Sequence, residues 1–302
     1  AGLVAGGMSC EDAEFPCDAG PYPTIWTSTD GAAWTRSFAD SEVIGAIEDI
    51  AVTDAGIVAA GWVNRLIEGP ADPDAASTSP AVWLSTPDSG WVRVWEGQPK
   101  ETEGFPPGAN RMLSLTVGSD GLIVAAGSAL NDDGVEVAAV WVSADAHDWE
   151  RTEPGSQAFG SDTGRDVSMI DIASGPSGFV AVGNEAAAEI AVWQSPDGRS
   201  WSRVDTANQP NAPTGVLSAI TAFGNGWAAA GFGPGFVEGP VTIWTSPDGT
   251  TWNRTTTLDT GYAQAIATIN NHVMVAGGML DTDDFFHAAI WTGQPTSVAP
   301  TN

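Results

Sequence analysis

The chain has 302 residues, 42% of them hydrophobic, and carries 38 acidic side chains against 10 basic ones, a formal net charge of −28. That apolar content sustains a folded core and sets aside a disordered chain. The charge repels phosphate backbones and anionic lipid surfaces, which argues against nucleic-acid and membrane-surface binding, and no apolar run approaches the ~18 residues of a bilayer span.

Residues 2–6, Gly-Leu-Val-Ala-Gly, open the chain as a short apolar strand. No basic and apolar leader precedes it, so the numbering reads as a mature or trimmed product. Cys10 and Cys17, the only two cysteines, follow in a loop-like stretch. Two cysteines are too few for a zinc site, and a local disulfide with an oxidising compartment is expected. Next comes Ile25-Trp26-Thr27-Ser28-Thr29-Asp30-Gly31-Ala32-Ala33-Trp34-Thr35-Arg36: a strand, an acidic turn and a second strand. The same order recurs along the chain. Apolar strands ending in glycine fall at 56–61, 122–127, 179–183, 227–231 and 273–277, each followed by a strand centred on Trp83, Trp141, Trp193, Trp244 or Trp291. The six leading tryptophans are 57, 58, 52, 51 and 47 residues apart. A period near 50 marks a repeat architecture whose units bury their apolar faces on one another.

The unit is clearest between 216 and 255. Residues 216–223 alternate as strand a, Gly224-Asn225-Gly226 turns, and 227–231 form strand b. After a ten-residue loop, 242–246 form strand c, Pro247-Asp248-Gly249 turns, and 251–255 form strand d. Four-stranded antiparallel meanders repeated radially make a β-propeller. The expectation is an all-β, six-bladed β-propeller in a single domain of residues 1–292, its terminal blades incomplete, with a linker-like tail at 293–302.

The c–d turn reads Ser-x-Asp-Gly-x-x-Trp at Ser28, Asp30, Gly31 and Trp34, at Ser195, Asp197, Gly198 and Trp201, and at Ser246, Asp248, Gly249 and Trp252. Asp in such a turn accepts backbone N–H groups, Gly supplies positive φ, and the indole covers the turn. Ser85, Asp88, Gly90 and Trp91 form a distorted copy; so do Ser143, Asp145 and Trp149, with His147-Asp148 where Gly is expected. Trp291-Thr292-Gly293 has lost the pattern. Arg36, Arg93, Arg151, Arg203 and Arg254 recur two residues after the second Trp and read as surface or blade-bridging residues. The turn resembles the Asp-box, or bacterial neuraminidase repeat, whose usual form is one residue longer. That resemblance implies a sialidase-like propeller whose boxes are structural and lie away from the catalytic face. For a sialidase it further implies three arginines gripping a substrate carboxylate, a Tyr–Glu pair and an acid/base Asp. The candidates here are Tyr262, Arg111 and Arg165, with Arg65 needed to complete the triad; the Arg-Ile-Pro segment of the first arginine is absent.

In an antiparallel meander the a–b and c–d turns share one face, and the long b–c and d–a loops share the other. Long loops on a rigid scaffold are where function concentrates. Loops are expected at, among others, 62–80, 95–110, 256–262 and 278–288, carrying the candidate ligand or partner residues Trp62, Trp95, Phe105, Phe232, Phe236, Phe285 and Phe286. Two acidic stretches, with Asp132 and Asp133 and with Asp281, Asp283 and Asp284, offer oxygens that calcium would need. The structural alternative is solvated loop acids, and no cofactor is required. Three function classes remain: a secreted or cell-surface binding module for a glycan or extracellular protein, a sialidase-type exo-glycosidase, and a structural subunit that self-associates through terminal blade edges.

Overall fold

The computed structural model describes residues 2–10, 21–66, 76–97, 110–152, 156–161, 164–186, 189–207, 209, 215–233, 239–280 and 286–293, with backbone alone at 65–66 and 76–77. Cys17 lies outside them, and no described cysteine is a free thiol. No helix among them is long and apolar enough to cross a membrane.

The described residues are all-β apart from one 3-10 turn at Gln157–Phe159. The first sheet has three strands, β1 (Leu3–Ser9), β2 (Tyr22–Ser28) and β3 (Thr35–Ala39). Three four-stranded meanders follow. They are β4 (Ile44–Thr53), β5 (Gly56–Leu66), β6 (Ala76–Thr86) and β7 (Gly90–Glu96); β8 (Arg111–Val117), β9 (Ile123–Leu130), β10 (Glu136–Ser143) and β11 (Glu150–Arg151); and β12 (Val167–Gly175), β13 (Gly178–Glu185), β14 (Glu189–Ser195) and β15 (Ser202–Arg203). The last sheet has six strands in sequence order: β16 (Val216–Phe223), β17 (Gly226–Phe232), β18 (Pro240–Ser246), β19 (Asn253–Ile269), β20 (His272–Leu280) and β21 (Phe286–Gly293).

The structure therefore has five blades, where the sequence led us to expect six. The fifth and sixth repeats are fused through β19. Its first half pairs with β18 up to Thr260, and its second half pairs with β20 from Gly261. Thr255, Thr256, Thr257 and Thr260 keep this stretch extended, whereas the d–a connections after β7 and β11 contain Pro106-Pro107-Gly108 and Pro154-Gly155. The loop expected at 256–262 is thus continuous strand. The loop expected at 62–80 is shorter than anticipated, since β5 and β6 pair out to Leu66 and Ala76.

The chain divides into two compact units, residues 1–136 with 140–151 and residues 137–139 with 152–302. In the first, Ile25 packs with Ile47, Ala59, Ala81 and Trp83. In the second, Val182, Val192 and Val204 pack with Leu217, Trp227, Trp244 and Trp252. Strand-c indoles thus serve as wedges between sheets, the largest apolar area available per position.

Four c–d turns share one geometry. In the first, Ser28 Oγ accepts the Gly31 N–H at 2.8 Å, Asp30 Oδ1 accepts the Ala32 and Ala33 N–H groups at 2.8 and 3.0 Å, and Trp34 Nε1 donates to Gly31 O at 3.1 Å. Asp197 with Trp201 and Asp248 with Trp252 repeat these bonds. So do Asp145 and Trp149, with Ala146 in the glycine place at φ 67°. Ala146, rather than His147-Asp148, takes the turn position. The Ser85–Trp91 segment instead forms a tight hairpin in which Ser85 pairs with Trp91 and Gly90 supplies φ 64°. The periodic arginines sit directly across from the strand-c tryptophans of their own sheets, as in Trp26/Arg36, Trp83/Arg93, Trp141/Arg151, Trp193/Arg203 and Trp244/Arg254. Arg203 lies 5.2 Å over the Trp193 ring and Arg254 5.8 Å over Trp244, cation–π pairs within a blade, whereas Arg93 reaches Asp40 of the preceding sheet at 3.4 Å and bridges the two.

Candidate functional site

Five inner hairpins, two of them in the six-stranded last sheet, are built one way. Strand a carries a one-residue bulge, between Ile47 and Asp49, Met112 and Ser114, Met169 and Asp171, Leu217 and Ala219, and Ala263 and Ala265. Opposite each bulge stands the glycine that ends the apolar run of strand b. A Cβ on Gly61, Gly127, Gly183, Gly231 or Gly277 would lie about 2 Å from a strand-a carbonyl oxygen, so no other residue fits.

One step from that glycine, toward the b–c loop, the repeat stops constraining chemistry. The cross-strand pairs there are Ala46/Trp62, Arg111/Ser128, Ser168/Asn184, Val216/Phe232 and Tyr262/Gly278. Bulk is complementary in most of them, with a large side chain on one strand facing a small one on the other. This loop end of each inner hairpin is the candidate functional region.

In the first unit, Trp62 Nε1 donates to Glu48 Oε1 at 2.8 Å, and Glu48 is the exposed bulge residue of β4. Arg111 stands 3.9 Å from Glu136, with its Nε and the neighbouring Ser128 Oγ buried and without hydrogen-bond partners. Asp49, next to the bulge, accepts the Leu115 N–H at 2.7 Å and Ser114 Oγ at 3.1 Å from the adjacent sheet. Burial holds its carboxyl above the ordinary value despite these donors.

In the second unit, Asp171 reaches the Ile220 N–H of the next sheet at 2.6 Å in the same way. Tyr262 lies edge-to-face with Phe286 at 5.2 Å and covers Gly278, where a Cβ would sit 2.5 Å from the ring. Arg165 grips Glu189 with two bonds of 2.8 and 2.7 Å and reaches Glu185 at 3.2 Å, while Arg203 holds Glu185 at 2.8 Å. Ser161 also donates to Glu185. The hydrogen bond with Arg165 lowers the Glu189 carboxyl, and the bond with Glu189 raises Arg165. Burial alone would raise Glu185, but Ser161, Arg203 and Arg165 outweigh it and the net shift is downward.

The candidate residues thus separate. Trp62 is half-buried, and Phe286 remains 39% exposed. Phe232 is buried, and Trp95 packs 6.3 Å from Trp149. Arg111 and Arg165 each already face carboxylates of their own blade. The Arg65 side chain, Phe105, Phe236, Phe285, Asp281, Asp283 and Asp284 lie outside the described residues. Asn131 Oδ1 accepts the Asp133 and Val135 N–H groups, and Asp132 lies near Arg151. Among the described residues no three His, Cys, Asp or Glu side chains stand together as a metal site. Glu48, Asp49, Asp171, Glu185 and Glu189 escaped the sequence reading. The recurrent strand-b glycine was the signal that could have located the bulge and its neighbours.

Solved structures share this architecture. Trypanosoma rangeli sialidase with the inhibitor DANA matches with a TM-score of 0.57 at 14% identity over 96% of this chain and 52% of that one. The same sialidase with 2,3-difluoro-KDN matches at 0.56 and 13% over 97% and 51%. The Hadza microbial sialidase Hz136 matches at 0.59 and 13% over 97% and 63%. The fold is a β-propeller. This propeller spans about half the length of the T. rangeli sialidase and under two thirds of Hz136. No family model and no curated protein sequence matches it.

Proposed function

We propose that the chain is a non-catalytic β-propeller module, secreted or displayed at the cell surface, that presents its loop-end face to a glycan. The observation that carries this reading is the loop-end pair of the inner hairpins. It is where a strictly repeated scaffold places unrepeated aromatic and charged side chains, Trp62 with Glu48 and Tyr262 with Phe286. Aromatic faces beside polar groups suit sugar rings. Of the three arginines that a sialidase would turn toward a substrate carboxylate, Arg165 is held by Glu185 and Glu189 and Arg111 lies 3.9 Å from Glu136, and the net charge of −28 disfavours an anionic sugar. In this reading residues 1–292 are one domain and Cys10 pairs with Cys17; two free thiols on denatured titration would remove the oxidising-compartment argument. A glycan array probed with the full chain tests the module. Binding to no glycan, together with capture of an extracellular protein through the same face, would replace it with protein recognition.

The second reading is a sialidase-type glycosidase, favoured by the shared fold and by Tyr262 at the loop end of an inner strand. Hydrolysis of a fluorogenic sialoside that disappears in Tyr262→Phe would establish it; our expectation is no turnover by either protein.

A further inference from the structure

We propose that Trp62 and Glu48 form a stacking subsite for a neutral pyranose. The inference rests on the glycan reading above and names the sugar class and residues.

Eleven of the fourteen tryptophans occupy the two repeat positions, leaving Trp62, Trp95 and Trp227. Trp227 is buried over Gly175, and Trp95 packs on Trp149. Trp62 alone of the three takes part in an exposed bond. The scaffold does not need an indole there, because the equivalent strand-b positions hold Ser128, Asn184, Phe232 and Gly278. Nor does the bulge need a carboxylate: its other occupants are Leu113, Ile170, Ser218 and Gln264. Two unforced residues therefore meet at 2.8 Å at the loop end of one hairpin.

Their chemistry is complementary to a sugar. The bond from Nε1 to Oε1 fixes the indole plane before any ligand arrives, so little side-chain entropy is lost on stacking. The apolar C–H face of a pyranose packs on the indole, and adjacent hydroxyls donate to the Glu48 carboxylate at its edge. The same carboxylate, in a chain of net charge −28, repels sialic and uronic acids, which selects neutral sugars.

The test is calorimetric titration of the full chain with lactose, N-acetyllactosamine, cellotetraose and 3′-sialyllactose. At least one neutral probe is expected to bind. Trp62→Ala should weaken that probe about tenfold or more, and Trp62→Phe should retain part of the affinity. Glu48→Gln, an exposed change that leaves folding intact, should weaken the neutral probe and narrow its advantage over 3′-sialyllactose. Neutral binding that survives Trp62→Ala and Glu48→Gln at parental affinity overturns the subsite while leaving the glycan reading standing. Binding of 3′-sialyllactose alone has the same consequence. Binding of no saccharide, here and on the array, overturns both.

Discussion

Trp34 and Trp252 occupy the same place in the same turn, yet the first is 43% exposed and the second 1%. Both indoles donate to a turn carbonyl three residues back. Only Trp252 adds a wedge against the neighbouring sheet. Trp252→Ala should therefore cost about 3–5 kcal/mol, and Trp34→Ala about 1 kcal/mol or less, as read by urea unfolding. The turn aspartates set the acid limit of stability. Backbone N–H groups of Ala33 and Ala32 hold Asp30 below its ordinary range, as those of Asp148 and His147 do for Asp145 and that of Ser200 does for Asp197. Burial would raise Asp248, but the N–H groups of Thr251 and Thr250 prevail and the net shift is downward. A carboxyl whose folded pKa is depressed contributes stability above its unfolded value, 3.8 for Asp, and loses it as pH falls through the folded value. Unfolding free energy should therefore drop as pH falls below about 4. Asp197→Asn with Asp248→Asn should flatten that drop in pH-dependent denaturation. Asp49 has the opposite sign: its raised pKa makes its contribution full below the unfolded value and smaller as pH rises through the folded one.

Between elements, the bulge and its glycine open a register step from which Asp171 can reach the neighbouring sheet. Asp171→Ala leaves the Ile220 N–H without its 2.6 Å acceptor. The expected cost is about 1–3 kcal/mol, with faster hydrogen exchange at Ile220 than at residues of β13. The outer edge of the last sheet behaves differently. Among the described residues β21 ends the sheet order, and its Ile290 is 69% exposed. Unpaired, flat, apolar edges recruit other strands. Ile290→Lys should reduce concentration-dependent light scattering without lowering the melting temperature. If the parent chain stays monomeric at high concentration, self-association through this edge is discarded.

For the whole molecule, charge and scaffold pull on function together. A neutral glycan displaces no charge, so its affinity should change less than about twofold between ~50 and ~500 mM salt, whereas an anionic ligand working against a charge of −28 would bind more tightly as salt rises. Titration at both salt levels separates the two. Much of this molecule was legible from residues close together in the chain. The four-strand order, the Ser-Asp-Gly-Trp turns and their hydrogen-bonding logic all followed from patterns within about fifty residues, because local turn chemistry and strand alternation do not depend on distant neighbours. What tertiary pairing decided is of another kind. That β19 runs unbroken, so that six repeats make five sheets, depends on what each half of the strand pairs with. Burial of Phe232, the Trp95 and Trp149 contact, and the carboxylates facing Arg111 and Arg165 depend on register across strands that are distant in sequence. Trp62 meets Glu48 only because a one-residue bulge displaces Glu48 from the regular pleat. A periodic sequence specifies its repeated positions by local physics; its unrepeated side chains acquire partners only when strands align.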